Sequence, residues 1–506
     1  MLQDEFTELE NVRLEKISRL REDGIEPYPT QSHKNATTAE AIHAFEAVEA
    51  AGEVVACVLA GRLRAIRNMG KLSFAHIEDR DGKVQFLFRI DELGEDKLQA
   101  FVRDFDLGDF IEASGTMFRT RRGEVTLLVK DFRMLAKALL QLPADKDEIV
   151  DGEVVRHALL TDPETRFRQR YVDLAVNPEV RETFRVRTET IKALRSFLDA
   201  CGFQEVETPI LQPIYGGAAA QPFTTHHNQL KQDLFLRISF ELYLKRLIVG
   251  GLERVYEIGR DFRNEGVSFK HNPEFTQLEY YMAYADYLTI MEMTEQMISS
   301  VAQQVLGTQI VHFDGHEIDL TPPWSRLEIR QGLLDACGID IPAYPTAAEL
   351  SAVMQAKGIQ HNPSAPRGKL IGVMMEEFLE PKLIQPTFMY DYPRDISPLA
   401  KNKPGDPQTV ERFEGFVGGV ELCNAFTELN DPIEQEKRFL EMGRAYSEGD
   451  EERHPMDEDF LRALAYGMPP TGGFGIGVDR LVMLLTGHHN IREVILFPPL
   501  RETGQE

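Results

Sequence analysis

The sequence predicts an α+β protein with two main domains, a small closed β-barrel followed by a larger domain of mixed helices and strands. Three observations support this fold class. The 506 residues are too many for one ordinary core, so two or more domains are expected. Short apolar segments separated by turns fill residues 53–140. Residues 175–506 alternate helices with strands whose spacing does not suit a parallel βαβ array.

Composition restricts the class of protein. Hydrophobic residues make up 42% and charged residues 27% of the chain, which is the balance of a soluble globular protein. The first residues carry no apolar signal core, and no apolar run approaches the roughly 18 residues that span a bilayer. The 4 cysteines lie far apart without a CxxC pair, which argues against a zinc site and a disulfide framework. We therefore expect a cytoplasmic protein with no membrane partner.

The net charge of −26 bears on nucleic-acid binding. So acidic a chain lacks the electrostatic footprint of a general nucleic-acid binder. Residues 53–140 are close to neutral, however, and the acidity lies elsewhere in the chain. An RNA partner would therefore need local basic faces rather than a basic protein.

The first predicted element is a helix over residues 1–24, within an N-terminal helical extension that covers residues 1–52. Leu2, Phe6 and Leu9 recur at steps of three and four residues, which is the helical period. A glycine followed by two prolines then ends the helix.

The next domain, residues 53–141, consists of short strands. Apolar segments such as 54–59 and 84–88 alternate with turns, and one helix is expected near residues 97–105. Several strands with one helix predict a small closed barrel of the OB type. Basic and aromatic residues interleave along it, a combination that suits single-stranded RNA. Strand alternation places about half of the aromatic residues, Phe86 or its neighbours among them, in the barrel core.

A linker is expected at residues 142–174. Its first part carries acidic residues that include Asp145, Asp147 and Glu148. For such a run of charge a solvated linker is the default expectation.

The most informative segment runs from Arg254 to Tyr287. It has the pattern of a strand, a loop around Asn264 and a second strand that begins near Phe275. Such a hairpin holds an arginine on one strand and an aromatic ring on the other, facing a shared pocket. The planar fork of arginine donates two parallel hydrogen bonds to a phosphate, and Phe275 can stack on a flat base.

A glycine-dense stretch, Gly472 to Gly477, leads into Arg480. It predicts a tight entry from strand to helix at which the backbone can approach a ligand. The sequence contains neither a P-loop nor a Rossmann fingerprint, so ATP would not bind in either of those folds.

A strand pair is expected around Gly418 and Gly419. Glu414 and Glu421 flank this turn, so both carboxylates could face one cavity. Carboxylate oxygens are the hard ligands that Mg²⁺ prefers. For any single glutamate, solvent exposure is nevertheless the commoner situation.

The segment from Arg254 to Tyr287 closely resembles the second signature of the class II aminoacyl-tRNA synthetases, and in detail that of their lysine-specific members. Residues 201–211 resemble the first signature and residues 472–481 the third, in the order and spacing of one catalytic domain. Residues 70–85 are similar to the anticodon-binding barrel of the lysine, aspartate and asparagine enzymes. The resemblance covers nearly the whole chain and is weakest near the N-terminus and in residues 142–161.

This resemblance implies a fold and an activity. Residues 175–506 would form the class II catalytic domain, an antiparallel sheet flanked by helices with the site on the sheet. The protein would be a homodimer whose interface includes residues 208–211. It would ligate L-lysine to tRNA(Lys) through a lysyl-adenylate, with ATP as the energy source and Mg²⁺ as the cofactor.

The resemblance also implies roles for individual residues. Arg263 and Arg480 would be catalytic, with Arg263 bridging the amino-acid carboxylate and the α-phosphate of ATP. His271 and Arg480 would hold the triphosphate, while Glu265 and Phe275 would receive the adenine. The implied lysine contacts are Gly216, Glu241, Glu279, Tyr281, Asn424, Phe426 and Glu428. The implied anticodon contacts are Phe74 and Gln85, and the implied Mg²⁺ ligands are Glu414 and Glu421.

The lysine site has three parts under this interpretation. Glu241 starts a helix at which the α-amino group of the substrate could be held. Small residues from Gly216 to Ala220 fit a flexible loop that closes on the substrate. Glu279, Tyr281 and Glu428 would contact the ε-ammonium group. Departures from the usual family pattern at Ser239-Phe240 and Cys423 touch the edge of this site.

Three alternatives remain. The same fold could charge aspartate or asparagine, but cationic side chains rather than Glu279 and Glu428 would then be expected at the substrate carboxylate. An enzyme that activates lysine and transfers it to a protein would lack the anticodon barrel. A noncatalytic RNA-binding paralogue should have lost one of five residues that are all present here, namely Arg263, His271, Glu414, Glu421 and Arg480.

Overall fold

The chain divides into two structural units, Met1–Thr161 and Asp162–Glu506. A computed structural model describes the residues in the ranges 6–143, 146–150, 153–157, 160–445 and 455–501. None of the helices within these ranges is long and apolar enough to cross a membrane. The domain limits expected at residues 52, 141 and 174 stay predictions.

A closed barrel of five strands forms the centre of the first unit. Its strands are β1 (Ala56–Asn68), β2 (Leu72–Glu78), β3 (Lys83–Arg89), β4 (Phe110–Arg119) and β5 (Val125–Ala136). Around the barrel they follow the order β1, β2, β3, β5, β4, and only the neighbours β3 and β5 are parallel. The predicted closed barrel is therefore confirmed.

Helices precede the barrel and connect two of its strands. They are α1 (Glu8–Glu22), α2 (Thr38–Val48), α3 (Ile90–Leu93) and α4 (Glu95–Asp104). A capping box fixes the start of α1, because the Thr7 side chain accepts from the Glu10 backbone while the Glu10 carboxylate accepts from the Thr7 backbone. The helices expected over residues 1–24 and 97–105 correspond to α1 and α4, although residues 1–5 lie outside the described part.

Aromatic packing fills the barrel. Phe86 and Phe88 have no exposed surface, as strand alternation predicts for residues in the core. The ring of Phe88 stacks on Phe101 with centroids 3.9 Å apart, and Phe132 meets both rings edge-on. Helix α4 supplies Phe101, so this helix packs against the core of the barrel.

A β-hairpin lies in the segment for which the sequence predicts a solvated linker. Strands β6 (Lys146–Val150) and β7 (Glu153–His157) pair in antiparallel register. The sequence analysis did not anticipate this pairing. The acidic residue Asp145 lies outside the described residues.

The second unit contains the remaining helices and strands. Its helices are α5 (Pro163–Arg168), α6 (Arg170–Val176), α7 (Pro178–Ala200), α8 (Glu241–Val249), α9 (Tyr287–Leu306), α10 (Ile329–Cys337), α11 (Ala347–Ala356), α12 (Arg367–Phe378), α13 (Pro432–Ala445), α14 (Glu458–Ala465) and α15 (Val478–Thr486). Its strands are β8 (Gln204–Glu205), β9 (Leu211–Gln212), β10 (Thr224–His227), β11 (Gln232–Leu236), β12 (Arg254–Phe262), β13 (Glu274–Ala283), β14 (Ile310–Phe313), β15 (His316–Asp319), β16 (Ser325–Glu328), β17 (Thr387–Pro393), β18 (Asn402–Lys403), β19 (Asp406–Val417), β20 (Val420–Thr427) and β21 (Thr471–Gly477).

A large sheet organises this unit. Its strands follow the order β16, β17, β19, β20, β21, β13, β12, β8, and the short β18 pairs with β19. The middle of the sheet is antiparallel, as expected, but β16 pairs with β17 and β8 with β12 in parallel. The expectation of an antiparallel sheet therefore needs correction to a mixed sheet. Parallel neighbours need a long crossover, which α10, α11 and α12 provide between β16 and β17.

The main hydrophobic core of this unit joins the sheet to α7, α9 and α15. Residues buried in it include Leu194, Ile298 and Leu481. The single tryptophan of the sequence, Trp324, also belongs to this core, with 4% of its surface exposed. Its ring stacks on Phe388 with centroids 4.8 Å apart.

A buried ion pair lies next to the barrel in the first unit. The Lys137 ammonium donates to Asp109 Oδ2 at 2.7 Å and to the Asp104 carbonyl at 2.7 Å. Neither the Lys137 nor the Asp109 side chain has any exposed surface. Loss of the cation would leave Asp109 as a buried charge without its partner, which is strongly unfavourable.

We expect Lys137→Met to destabilise the first unit by about 3–5 kcal/mol, because it removes one partner of a buried pair. Hydrogen–deuterium exchange of peptides from β1 to β5, measured in the full chain, should accelerate by roughly two orders of magnitude or more. Lys97→Met is the matched control, since Lys97 pairs with Asp131 at the same 2.7 Å while 54% and 63% of the two side chains are exposed. The control should cost less than about 1 kcal/mol. Equal exchange in both variants would contradict the prediction.

Candidate active site

A cavity of about 320 Å³ lies over the middle of the large sheet in the second unit. Part of its floor is β21, where Gly473, Gly475 and Gly477 alternate so that one strand face carries no side chains. A Cβ atom on Gly473 would lie 1.9 Å from Glu428 Oε1, and one on Gly475 would lie 3.2 Å from Gln277 Nε2. The cavity therefore depends on glycine at these positions.

Glu279 stands on β13, directly across from Gly475 of β21. Its Oε1 accepts hydrogen bonds from Ser239 Oγ at 2.7 Å and from Gln277 Nε2 at 2.9 Å. Its Oε2 accepts from the Tyr281 hydroxyl at 3.1 Å. Neutral donors thus fix this buried carboxylate in position without cancelling its charge.

The surroundings of Glu279 make its ionisation difficult. Burial, followed by the nearby charges of Asp261 and Glu241, raises the pKa of Glu279 to about 8. A cationic ligand beside this carboxylate would reverse the effect, because an opposite charge favours the ionised form. The site is therefore better suited to a cation than to an anion or a neutral group.

Two more buried glutamates belong to the same cavity. Glu241 is 5% exposed at the first residue of α8, and Glu428, which follows β20, has no exposed surface. Lys245 forms ion pairs with both, at 2.5 Å from Glu241 Oε1 and still closer to Glu428 Oε2. Glu428 Oε1 is buried and has no hydrogen-bond donor among the described residues. This oxygen is an acceptor that a ligand could satisfy.

The cavity also contains cations. The guanidinium of Arg263 lies 5.1 Å from the centre of the Phe275 ring, and its Nε is buried without a hydrogen-bond partner in the described part of the chain. At the start of α15, Arg480 donates to His271 Nε2 at 3.2 Å and to the Glu421 carbonyl at 2.7 Å. These donors, beside an aromatic face, can receive a phosphate and a base.

His271 accepts the Arg480 hydrogen bond in its neutral form. Burial, followed by the positive charges of Arg480 and Lys270, lowers the pKa of His271. A neutral imidazole next to two cations keeps this end of the cavity available for an anion.

The two proposed metal ligands lie on the strand pair that the sequence predicts. Glu414 is on β19 and Glu421 on β20. Burial and then the charge of Glu421 raise the pKa of Glu414, while Arg412 donates to Glu414 Oε1 at 2.6 Å. Burial and then the charge of Glu414 raise the pKa of a third carboxyl, Glu380, to about 7. Carboxylates that repel one another in this way can be brought together by a hard cation such as Mg²⁺.

No cluster of three His, Cys, Asp or Glu side chains in the described residues is arranged to hold a metal ion by itself. An ion between Glu414 and Glu421 would therefore complete its coordination with water or with ligand oxygens. Mg²⁺ commonly binds in this way, through one or two carboxylates and substrate phosphates.

The cavity gathers most of the residues that the resemblance implies. Its lining includes Glu241, Arg263, Glu265, His271, Phe275, Glu279, Tyr281, Glu421, Asn424, Phe426, Glu428 and Arg480. Gly216 is not part of this lining. A Cβ atom there would lie 2.7 Å from Leu242 Cδ1, so Gly216 packs on α8 while Gly217 and Ala218 reach the cavity. Glu414 also lies outside the lining.

Several residues of the site were missed by sequence reasoning. Gln277 lies two positions before Glu279 on the same strand face, so alternation could have identified it. Lys245 lies one helical turn after Glu241, a spacing that places both side chains together. Glu380 comes from a distant segment, and no sequence pattern connects it to the cavity. Ser239 was expected only at the edge of the site, and its contact with Glu279 joins two segments that are far apart in the chain.

The two predicted anticodon contacts lie on the barrel of the first unit. Phe74 of β2 is half-buried, and Gln85 of β3 is 9% exposed. Gln85 Nε2 donates to Glu124 Oε2 at 2.7 Å, and the other oxygen of Glu124 lies 2.8 Å from His76 Nε2. Phe74 and His76 share a strand face, so an aromatic ring borders this polar group.

Comparison with known proteins agrees with this geometry. Residues 162–501 match the family described as tRNA synthetases class II (D, K and N), and residues 57–135 match the OB-fold nucleic acid binding domain. The chain is 51% identical to the lysine–tRNA ligase of Pelotomaculum thermopropionicum, over 99% of this chain and 96% of the relative. It is 51% identical to that of Moorella thermoacetica, over 97% of each, and 50% identical to that of Roseiflexus castenholzii, over 98% and 99%.

Proposed function

The chain belongs to the class II tRNA synthetases of the aspartate, lysine and asparagine group, and we propose that it ligates L-lysine to tRNA(Lys). It is an enzyme that uses ATP, lysine and tRNA, as its relatives of about 50% identity over the full length are lysine–tRNA ligases. The observation that carries the choice of lysine is the wall of three buried glutamates, Glu241, Glu279 and Glu428.

The amino acid would bind through both of its ammonium groups. Glu241 is assigned to the α-ammonium, and Glu279 and Glu428 to the ε-ammonium, with the Tyr281 hydroxyl as a further acceptor. The unsatisfied Oε1 of Glu428 supports this assignment, because a buried carboxylate oxygen needs a donor. Asn424 and Phe426 complete the cavity wall as further lysine contacts, with Gly216 in the loop behind it.

ATP would bind at the cationic end of the cavity. Phe275 is assigned to stacking on the adenine and Glu265 to hydrogen bonding with it. Arg263 has a buried Nε without a partner, and we assign it to the α-phosphate and the amino-acid carboxylate. His271 and Arg480 would hold the phosphates. Adenylation needs positioned positive charge more than it needs a general base, so the two arginines would be the catalytic residues.

Mg²⁺ is the proposed cofactor, held by Glu414 and Glu421. Their mutual repulsion and that of Glu380 fit a divalent cation. When bound, the ion would neutralise phosphate charge. Because Arg480 also donates to the Glu421 carboxylate at 3.1 Å, the same glutamate would align the arginine with the phosphates.

The remaining proposals concern the tRNA contacts, the oligomeric state and the cellular location. Phe74 and Gln85 would contact anticodon bases of tRNA(Lys). A homodimer is supported by Ile210 and Leu211, which are 44% and 46% exposed at the end of the first signature segment. The cytoplasm is the proposed location, because ATP and tRNA are available there.

Aspartate or asparagine is disfavoured as the substrate. An aspartate side chain would place a fourth carboxylate next to Glu279 and Glu428, and like charges at short distance repel strongly. An asparagine side chain would leave Glu279, whose hydrogen-bond donors are all neutral, without a cation, which is unfavourable for a buried charge.

The central test is ATP–pyrophosphate exchange with each amino acid in turn. We expect exchange with lysine and none with aspartate or asparagine. Glu428→Gln should weaken the binding of lysine by about 2–5 kcal/mol, since it removes one partner of a buried charge pair. The KM for ATP should change little. Glu189→Gln is the control and should behave as the wild type, because Glu189 lies on the exposed face of α7, where it pairs with Lys192. Exchange with aspartate but not with lysine would refute the assignment of lysine as the substrate.

Lysine affinity should depend on pH through Glu279. Its pKa of about 8 means that without lysine the carboxyl is largely protonated at pH 6.5, and it must lose this proton to pair with an ammonium. The KM for lysine should therefore fall by about an order of magnitude between pH 6.5 and 8.5. Calorimetry in buffers of different ionisation enthalpy should detect proton release on lysine binding at pH 7. Proton uptake, or a KM that rises with pH over this range, would exclude the mechanism.

Phe74→Ala should reduce affinity for tRNA(Lys) by about 1–3 kcal/mol, because a stacking platform for a base is lost. Lysine-dependent pyrophosphate exchange without tRNA should stay at the wild-type level, since that site lies in the other unit. An equal loss in both assays would assign Phe74 to the structure of the barrel instead of to the anticodon.

A further inference from the structure

Lys245 is a buried cation inside the acidic wall of the active site. It has no exposed surface, and its ammonium joins Glu241 to Glu428. Burial alone lowers the pKa of Lys245, but the charges of the two glutamates outweigh it and the net shift is upward. The aromatic rings of Phe426 and Phe460 lie 5.5 Å and 5.8 Å from the ammonium. The residue is therefore charged and enclosed on several sides.

Lys245 does not line the cavity itself. It stands behind Glu241 and Glu428, so it cannot contact a ligand without displacing them. The third glutamate, Glu279, has no cationic donor among the residues that the structure describes. Its hydrogen bonds come from Ser239, Gln277, Tyr281 and the Phe240 backbone, all of which are neutral. Together with Lys245 behind them, the three glutamates form a group of three carboxylates and one fixed ammonium, which we call the acidic wall.

The charge balance of the wall matches one class of ligand. With all three carboxylates ionised, Lys245 leaves two negative charges. A diamino acid brings two ammonium groups, so the occupied wall becomes neutral. Without the fixed ammonium, one carboxylate would stay buried and uncompensated in the occupied site, which is strongly unfavourable.

We propose that Lys245 is a positioning residue for substrate specificity, an internal counter-ion that sets the charge of the wall for a substrate with two ammonium groups. The inference rests on the proposed function. Lys245 holds one oxygen of Glu428 and one of Glu241, and this leaves Glu428 Oε1 for the substrate.

The first test is Lys245→Met, which keeps the length of the side chain and removes its charge. A carboxylate that has lost its only cation in a dry site takes up a proton, so Glu428 would no longer present a charged oxygen. We expect the KM for lysine in pyrophosphate exchange to rise about tenfold or more, with the KM for ATP within about twofold of the wild type. Lys192→Met is the control, because Lys192 is 61% exposed and pairs with Glu189 on the surface of α7.

The decisive comparison adds Lys245→Met to Glu428→Gln. Glu428→Gln alone leaves one net negative charge in the wall, and the double variant restores two. The double variant should therefore have a lower KM for lysine than Glu428→Gln, by about threefold or more. A residue needed only for packing would instead make the double variant worse, and that result would overturn the proposal.

The remaining outcomes are also informative. The double variant carries one buried carboxylate fewer than Lys245→Met, because Glu428 no longer needs a cation and only Glu241 has lost its partner. It therefore tests the proposal even where Lys245→Met alone does not fold. An unchanged lysine KM in Lys245→Met, or an equal rise in the KM for ATP, would overturn it. A wild-type protein that exchanges pyrophosphate with aspartate and not with lysine would refute the proposed function itself, which is a different failure.

Discussion

Burial of three carboxylates around one cavity is the constraint on which the rest of the active site depends. Glu241, Glu279 and Glu428 are all at least 95% removed from solvent. Isolated charges in such surroundings are unfavourable by several kcal/mol or more, so each needs a partner that the fold supplies. Lys245 serves two of them, and neutral donors hold the third. The remaining negative charge is not compensated by the described residues of the protein and is left for a cationic ligand.

The sheet supplies the geometry that this balance requires. Antiparallel pairing places Glu279 beside Gly475 and Tyr281 beside Gly473, so the acidic side chains flank a strand that has none on the cavity face. The same strand runs directly into α15, which carries Arg480 to the other charged groups. Rigid pairing of neighbouring strands therefore fixes anionic and cationic groups within one cavity, which is the preorganisation that group transfer needs.

Local patterns were sufficient to predict the barrel and the hairpin of β12 and β13, whereas the resemblance to a family supplied most of the charged and aromatic residues that line the cavity. Glu279, Tyr281 and Glu428 lie in segments whose motifs resemble those of a family, and the structure brings them together. Features that depend on distant segments were not predictable. The contact of Ser239 with Glu279, the proximity of Glu380 to Glu414 and the parallel edges of the sheet arise only when the chain folds. The helical spacing of Glu241 and Lys245 could be read from the sequence. The role of Lys245 could not, because it depends on the contact with Glu428, which lies in a distant segment.

The single tryptophan means that tryptophan fluorescence reports on only one of the two units. Trp324 is enclosed against Phe388 in the second unit, and residues 1–161 contain no tryptophan. Tryptophan emission during denaturation consequently follows the loss of the catalytic core and is blind to melting of the barrel, whereas far-ultraviolet circular dichroism senses both. Non-coincidence of these two signals would indicate that the units unfold separately, and coincidence would indicate one cooperative transition.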